Sequence, residues 1–109
     1  MTYRVVVTGP AKHDIRSNLR WWAENRSAEE ANRWFLGIEH EIASLQTMPL
    51  RHSLAEEAGL MVVEIRQMPF GLGRRPSHRV LYAVKDDEVI VYRVRAIRQS
   101  ALSLEELQG

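Results

Sequence analysis

The chain has 109 residues, of which 45% are hydrophobic and 27% charged, with a formal net charge of +1 and no cysteine. That size and balance fit one compact domain over residues 1–109, with a single core and no room for a second. No run nears the roughly 18 apolar residues of a membrane span, and residues 1–10 lack the basic start and apolar h-region of a signal peptide, so a cytoplasmic protein without membrane contact is expected. The lack of Cys excludes disulfides, thiol nucleophiles and thiolate zinc sites; the four His are too scattered to replace them, so no metal and no cofactor is expected.

The small net charge hides an asymmetry. Residues 1–50 carry six basic and six acidic side chains, whereas Arg66 to Arg98 holds seven Arg and Lys85 against Asp86, Asp87 and Glu88, a net +5. Thirteen of the fifteen basic residues are Arg, whose planar guanidinium grips phosphate or carboxylate through paired hydrogen bonds. An anionic partner is the expectation, set against the plainer reading that such side chains are simply solvated.

Tyr3 to Thr8 reads as a strand from its β-branched Val5, Val6 and Val7, and Gly9-Pro10 ends it. From Ala11 the positions Ala11, Ile15, Leu19 and Trp22 trace one face of an amphipathic helix that runs to about Asn25. Ser27 and Glu30 have capping-box spacing and open a second helix with the stripe Ala31, Trp34, Phe35, Ile38, Ile42 and Leu45, stopped at Met48-Pro49. A short connection predicts an antiparallel pair packed through Trp22, Trp34 and Phe35. After a polar stretch from Leu50 to Gly59 the period becomes two. Met61, Val63 and Ile65 alternate with Val62, Glu64, Arg66 and Met68; Val80, Tyr82 and Val84 follow; then Val89 and Val91 lead to Arg93 and Arg95. Three strands are predicted, with a long loop from Pro69 to His78 between the first two and a hairpin turn at Lys85-Asp86-Asp87-Glu88 between the last two. Ser103 and Glu106 cap a short terminal helix bearing Leu102, Leu104 and Leu107, which are expected to pack the tail onto the domain.

The order β-α-α-β-β-β predicts an α+β fold: two antiparallel helices on one face of a twisted, mainly antiparallel four-stranded sheet, with a short C-terminal helix. The last three strands form a meander, the first strand joins one edge, and the opposite sheet face is expected to be free. On that face Arg66, Arg79, Arg93, Arg95 and Arg98 are expected to converge on an anion. Arg74 and Arg75 lie in the Gly-containing loop, which lacks the Lys-Ser/Thr ending of a phosphate-binding P-loop. Acid–base candidates are His13, His40, His52, His78, Glu56, Glu57 and Glu64, with His52 and His78 placed near the arginines and able to move a proton near neutral pH. No metalloprotease helix, nucleophile elbow or paired-Asp motif occurs, so an enzyme here would work without metal.

The chain resembles the RelE/ParE superfamily of bacterial type II toxins over nearly its full length. The resemblance rests on the opening strand, Ala11 to Ile15, Trp34, Met48-Pro49-Leu50-Arg51-His52, Glu64-Ile65-Arg66-Gln67, the stretch from His78 to Asp87, and Val91-Tyr92-Arg93-Val94-Arg95. It implies a toxin of a plasmid-stabilisation or stress module, neutralised by a cognate antitoxin. Superfamily members divide between ribosome-dependent mRNA interferases, in which arginines hold the scissile phosphate, and ParE-like inhibitors of DNA gyrase without nuclease activity. By this resemblance Arg66, Arg79 and Arg98 would be catalytic in an RNase, and Arg74, Arg75, Arg93 and Arg95 would contact an anion or partner.

One departure separates the two classes. Where YoeB-like interferases have a His at the end of the last strand, this chain has Ile97, and no Tyr follows in residues 99–109. Arginine neutralises a phosphate but transfers protons poorly near neutral pH, and general acid–base help accounts for about 10² to 10⁴ in rate. The pattern therefore ranks a ParE-like growth inhibitor first, a RelE/YoeB-like mRNA interferase second and an inactive basic binding module third.

Overall fold

A computed structural model describes residues 2–109. Strand β1 (Arg4–Val7) leads into α1 (Gly9–Asn25) and α2 (Ala28–Ala43), followed by β2 (Arg66–Phe70), β3 (His78–Lys85), β4 (Glu88–Ala96) and α3 (Leu104–Gln108). Thr8 caps α1, its Oγ1 accepting from Ala11 N, and Pro10 sits in the first turn, where a missing N–H goes unnoticed. Ser27 caps α2 through Glu30 N, so the two helices are separated by Arg26 and Ser27 alone. The sheet order is β1-β4-β3-β2, with β1 parallel to β4 and the other pairs antiparallel. The predicted α+β layout is thus the observed one.

The first sheet face and the helices enclose the main core. Trp34 and Ile38 of α2 and Ala11 and Ile15 of α1 pack on Met68, Val80, Tyr82, Val89, Val91 and Val94, with Trp22 and Phe35 at its margin. A hairpin joins β3 to β4 through Asp86-Asp87, and Asp86 takes the left-handed conformation that a two-residue turn demands. Between Leu81 and Tyr82 the pairing skips Tyr92, a bulge that resets the phase of β4. Val89, Val91 and Val94 therefore all reach the helix-side core, although strict alternation would have sent Val94 to the other face.

Three expectations require correction. The opposite face is not free: Leu81 and Ala83 of β3 are covered there by Ala55, Ile65, Leu102 and Leu107, with Met61, Val63 and Tyr92 alongside. The alternation from Met61 does not begin a strand. Residues Met61–Ile65 are irregular because they drape over this second layer, and pairing starts only at Arg66, with Pro69 tolerated because β2 is an edge strand. Helix α2 also ends at Ala43 rather than Met48, the chain then tightening into 3₁₀ turns at Ser44–Gln46 and Pro49–Arg51; a third such turn spans Glu56–Leu60. Gly71 follows β2 where any Cβ would lie 2.6 Å from the Arg75 carbonyl oxygen, so the loop closes only around glycine.

The tail is part of the fold. Leu107 lies two residues from the end yet is 1% exposed, and a full capping box of Ser103 and Glu106 starts the helix that presents it. Leu107→Ala is expected to lower unfolding stability by about 2–5 kcal/mol, the range for a truncated core leucine, as read by urea denaturation.

Candidate functional site

The arginines predicted to converge are distributed by the pleat. Arg66 pairs across the sheet with Tyr82 and shares the helix-side face with Met68 and Phe70, whereas Arg79 opposes Pro69 and points to the other face. Arg66 donates from Nη1 to the His52 carbonyl at 2.8 Å, with Glu64 at 3.8 Å. Arg79 is buried and forms a two-pronged ion pair with Glu57, 2.7 Å on each arm. The second oxygen of Glu57 also accepts from Leu102 N at 2.9 Å. One buried carboxylate thus joins β3, the Glu56–Leu60 turn and the tail.

Arg93 is likewise committed. Its Nε and Nη2 bond both oxygens of Asp14 on α1 at 2.6 and 2.9 Å, and its Nη1 donates to the Glu106 carbonyl. Arg95 holds the Ser100 carbonyl through Nε and Nη2. Arg74, Arg75 and Arg98 make no side-chain hydrogen bond or salt bridge among the described residues. The first two stand exposed on the β2–β3 loop, and Arg98 lies beyond β4. The structure brings Arg93, Arg95 and Arg98 to one cleft, sets Arg79 opposite Arg95 across the β3–β4 pair but turned into its bond with Glu57, and leaves Arg66 on the other sheet face.

That cleft, about 690 Å³, runs between α1 and the outer part of β4. It exists because β1 pairs only with Glu88–Val91, which leaves the rest of the β4 edge without a neighbouring strand. Side chains replace it: Thr8 Oγ1 donates to the Tyr92 carbonyl, Asp14 accepts from Val94 N, and Gln99 Oε1 accepts from Ala96 N. Trp21 on the rim is 44% exposed and stands edge-on to Trp22, and Ile97 faces it from beyond β4. At the cleft's inner end His78 Nε2 lies 2.8 Å from Asn18 Oδ1, and its Nδ1 2.8 Å from Ser77 Oγ. Burial, reinforced by Arg98, holds this imidazole below its usual range, so it is neutral at pH 7.

The remaining acid–base candidates are scattered. His13 contacts Ser17 on the outer surface of α1, His52 packs edge-on to Tyr82, and Glu56 lies in the wall of a second, smaller cleft beside Arg79. Both loop histidines do lie near arginines, but at separate places: His52 beside Arg66, and His78 in the cleft with Arg93, Arg95 and Arg98. Asp14, Asn18, Ser77 and Gln99 were not singled out by sequence reasoning. Asp14 had one usable signal, as an acidic residue four positions from Asn18 and flanked on its helix by basic Lys12, Arg16 and Arg20.

Burial by itself would raise the Glu57 carboxyl, but its bonds to Arg79 and to Leu102 N outweigh burial and hold it below the usual carboxylate range. A carboxylate depressed in the folded state adds stability that is complete above its unfolded pKa of about 4.3 and is lost as pH falls through the folded value. Glu57→Gln is therefore expected to cost about 3–5 kcal/mol at pH 7, and its stability should fall less steeply than the parent's below about pH 4.3, as measured by denaturant titration across pH.

Comparison with known proteins follows the same outline. Residues 5–100 match the family described as ParE toxin of type II toxin-antitoxin system, parDE. No curated protein sequence matches. A solved structure described as the chromosomal ParDE TA system from P. aeruginosa superposes with a TM-score of 0.71 at 16% identity, over 89% of this chain and 98% of that one, which is a likeness of fold. With the family match covering most of the sequence and the β-α-α-β-β-β sheet in place, this chain belongs to the ParE toxin family of the RelE/ParE superfamily, the toxins of type II toxin-antitoxin systems.

Proposed function

We propose that this toxin inhibits growth by binding rather than by cutting RNA, with DNA gyrase as its target, and that a cognate antitoxin of the same plasmid-stabilisation type of module neutralises it in the cytoplasm. The observation that carries this reading is the fate of the arginines. Arg79 is neutralised by buried Glu57, Arg66 faces the other side of the sheet, and Arg98 stands in a cleft with neither. A phosphate held for cleavage needs several uncommitted cations at one point, and of the three arginines lining the cleft only Arg98 is without an internal partner among the described residues. Ile97, in the place where YoeB-like interferases carry His, is consistent with the same reading.

The cleft beside α1 supports a protein partner. It offers the exposed ring of Trp21, the apolar side chain of Ile97 and the uncommitted charge of Arg98. An acidic antitoxin segment with apolar anchors matches that surface, and Arg74 and Arg75 on the nearby loop add positive charge for either partner. No helix among the described residues is long and apolar enough to cross a membrane.

Purified toxin is expected to block supercoiling by gyrase and to leave mRNA on translating ribosomes intact; cleavage that Arg98→Ala abolishes, at a cation with no internal partner among the described residues, would replace this reading with the interferase one. Trp21→Glu should weaken antitoxin binding about 10-fold or more without altering thermal stability, as measured by calorimetric titration and melting.

A further inference from the structure

The cleft contains a group that binding does not require. Asn18 Nδ2 donates to the Asp14 carbonyl at 2.8 Å, which turns Asn18 Oδ1 toward the His78 ring. An acceptor at that position places the imidazole proton on Nε2, leaving Nδ1 with a free lone pair directed at Ser77 Oγ, 2.8 Å away. The hydroxyl, the base and the residue that orients the base are thus connected in series, which is the arrangement that activates a weak nucleophile.

Each member is held firmly. His78 is 7% exposed, begins β3 and stacks edge-on against Trp34 with ring centroids 5.3 Å apart. Ser77 is pinned by its backbone on both sides, donating to the Phe70 carbonyl and accepting from Ile97 N, while its side chain remains exposed at the cleft wall. Burial keeps His78 neutral and therefore competent as a base at pH 7. One donor lining the same cleft is uncommitted among the described residues, the Arg98 guanidinium. Such a donor stabilises an oxyanion where it forms.

We propose that Ser77 is a reactive nucleophile, activated by His78 and positioned through Asn18, that accepts an acyl group from a carboxylic ester bound in this cleft. Trp21, Trp22 and Ile97 favour an ester with an aromatic or aliphatic portion, and Arg95 and Arg98 favour one that also carries negative charge. Ser77 Oγ attacks the ester carbonyl carbon as its proton passes to His78 Nδ1. The tetrahedral intermediate then expels the alkoxide, which takes that proton and leaves as the alcohol, and the acyl group remains on Ser77. Water repeats the same transfers to release the acid and restore the hydroxyl. This chemistry does not depend on the gyrase reading.

The test uses the full-length toxin with p-nitrophenyl acetate, following nitrophenolate release and locating acetyl groups by peptide mass spectrometry. Acetyl should accumulate on Ser77 at a rate about 10² or more above that of other hydroxyls. Ser77→Ala should abolish the fast phase and Ser77→Cys should retain it; the position is exposed, so both variants keep the fold. Asn18→Asp, which preserves the acceptor for Nε2–H, should react, and Asn18→Leu should not. Acetyl confined to Lys12, Lys85 and the N-terminus, or a fast phase that survives Ser77→Ala, would overturn the proposal.

Discussion

The pairing of Glu57 with Arg79 decides how the second face of this sheet is used. A carboxylate with 1% exposure is untenable alone, and here both oxygens are occupied by a guanidinium fork and one also receives a backbone N–H. Such a pair adds little stability compared with apolar side chains of similar size, but removing either partner leaves a buried charge. Its effect is positional. It draws the Glu56–Leu60 turn and the start of the tail onto β3, and Ala55, Ile65, Leu102 and Leu107 close over Leu81 and Ala83 as a result. A two-layer α+β plan therefore acquires a partial third layer built from irregular chain.

Arg93 has the equivalent role at the sheet's edge. Its links to Asp14 and to the Glu106 carbonyl tie α1, β4 and α3 together at one point. The same aspartate accepts from Val94 N, so the part of β4 that β1 leaves open is closed by side chains rather than by another strand. The other edges are also protected. β1 has four residues, and β2 contains Pro69, which has no N–H to offer. Edges treated in this way resist indiscriminate pairing while leaving a cleft that a matched partner can enter.

Formal charge proved a poor guide to free charge. The +5 of Arg66 to Arg98 reads as a surface that seeks an anion, yet Arg66, Arg79, Arg93 and Arg95 are all engaged within the molecule. Their partners are distant in sequence or are backbone carbonyls, neither of which a count of charges can register. The cations that remain are Arg74 and Arg75 on a loop, Lys85 at the β3–β4 hairpin and Arg98 at the cleft.

The amino-acid sequence alone determined the element order, both helix faces, the Ser27 and Ser103 caps, the Asp86-Asp87 turn and the family resemblance, because each depends on spacing within one or two turns of chain. It also marked Leu102, Leu104 and Leu107 as packing residues; Leu102 and Leu107 are buried, whereas Leu104, on the outer side of the short helix, is exposed. What it could not determine depends on contacts between distant positions. The bulge at Tyr92 shifts the face of every later residue in β4, and nothing local announces it. The separation of Arg66 from Arg79 follows from which face the helices cover, and the pairing of Arg79 with Glu57 and of Arg93 with Asp14 spans 22 and 79 residues. The Ser77–His78–Asn18 series spans 60 residues between its last two members. Only the closed tertiary structure selects such partners, since a side chain's bonding choice is made by what the fold leaves within about 3 Å of it.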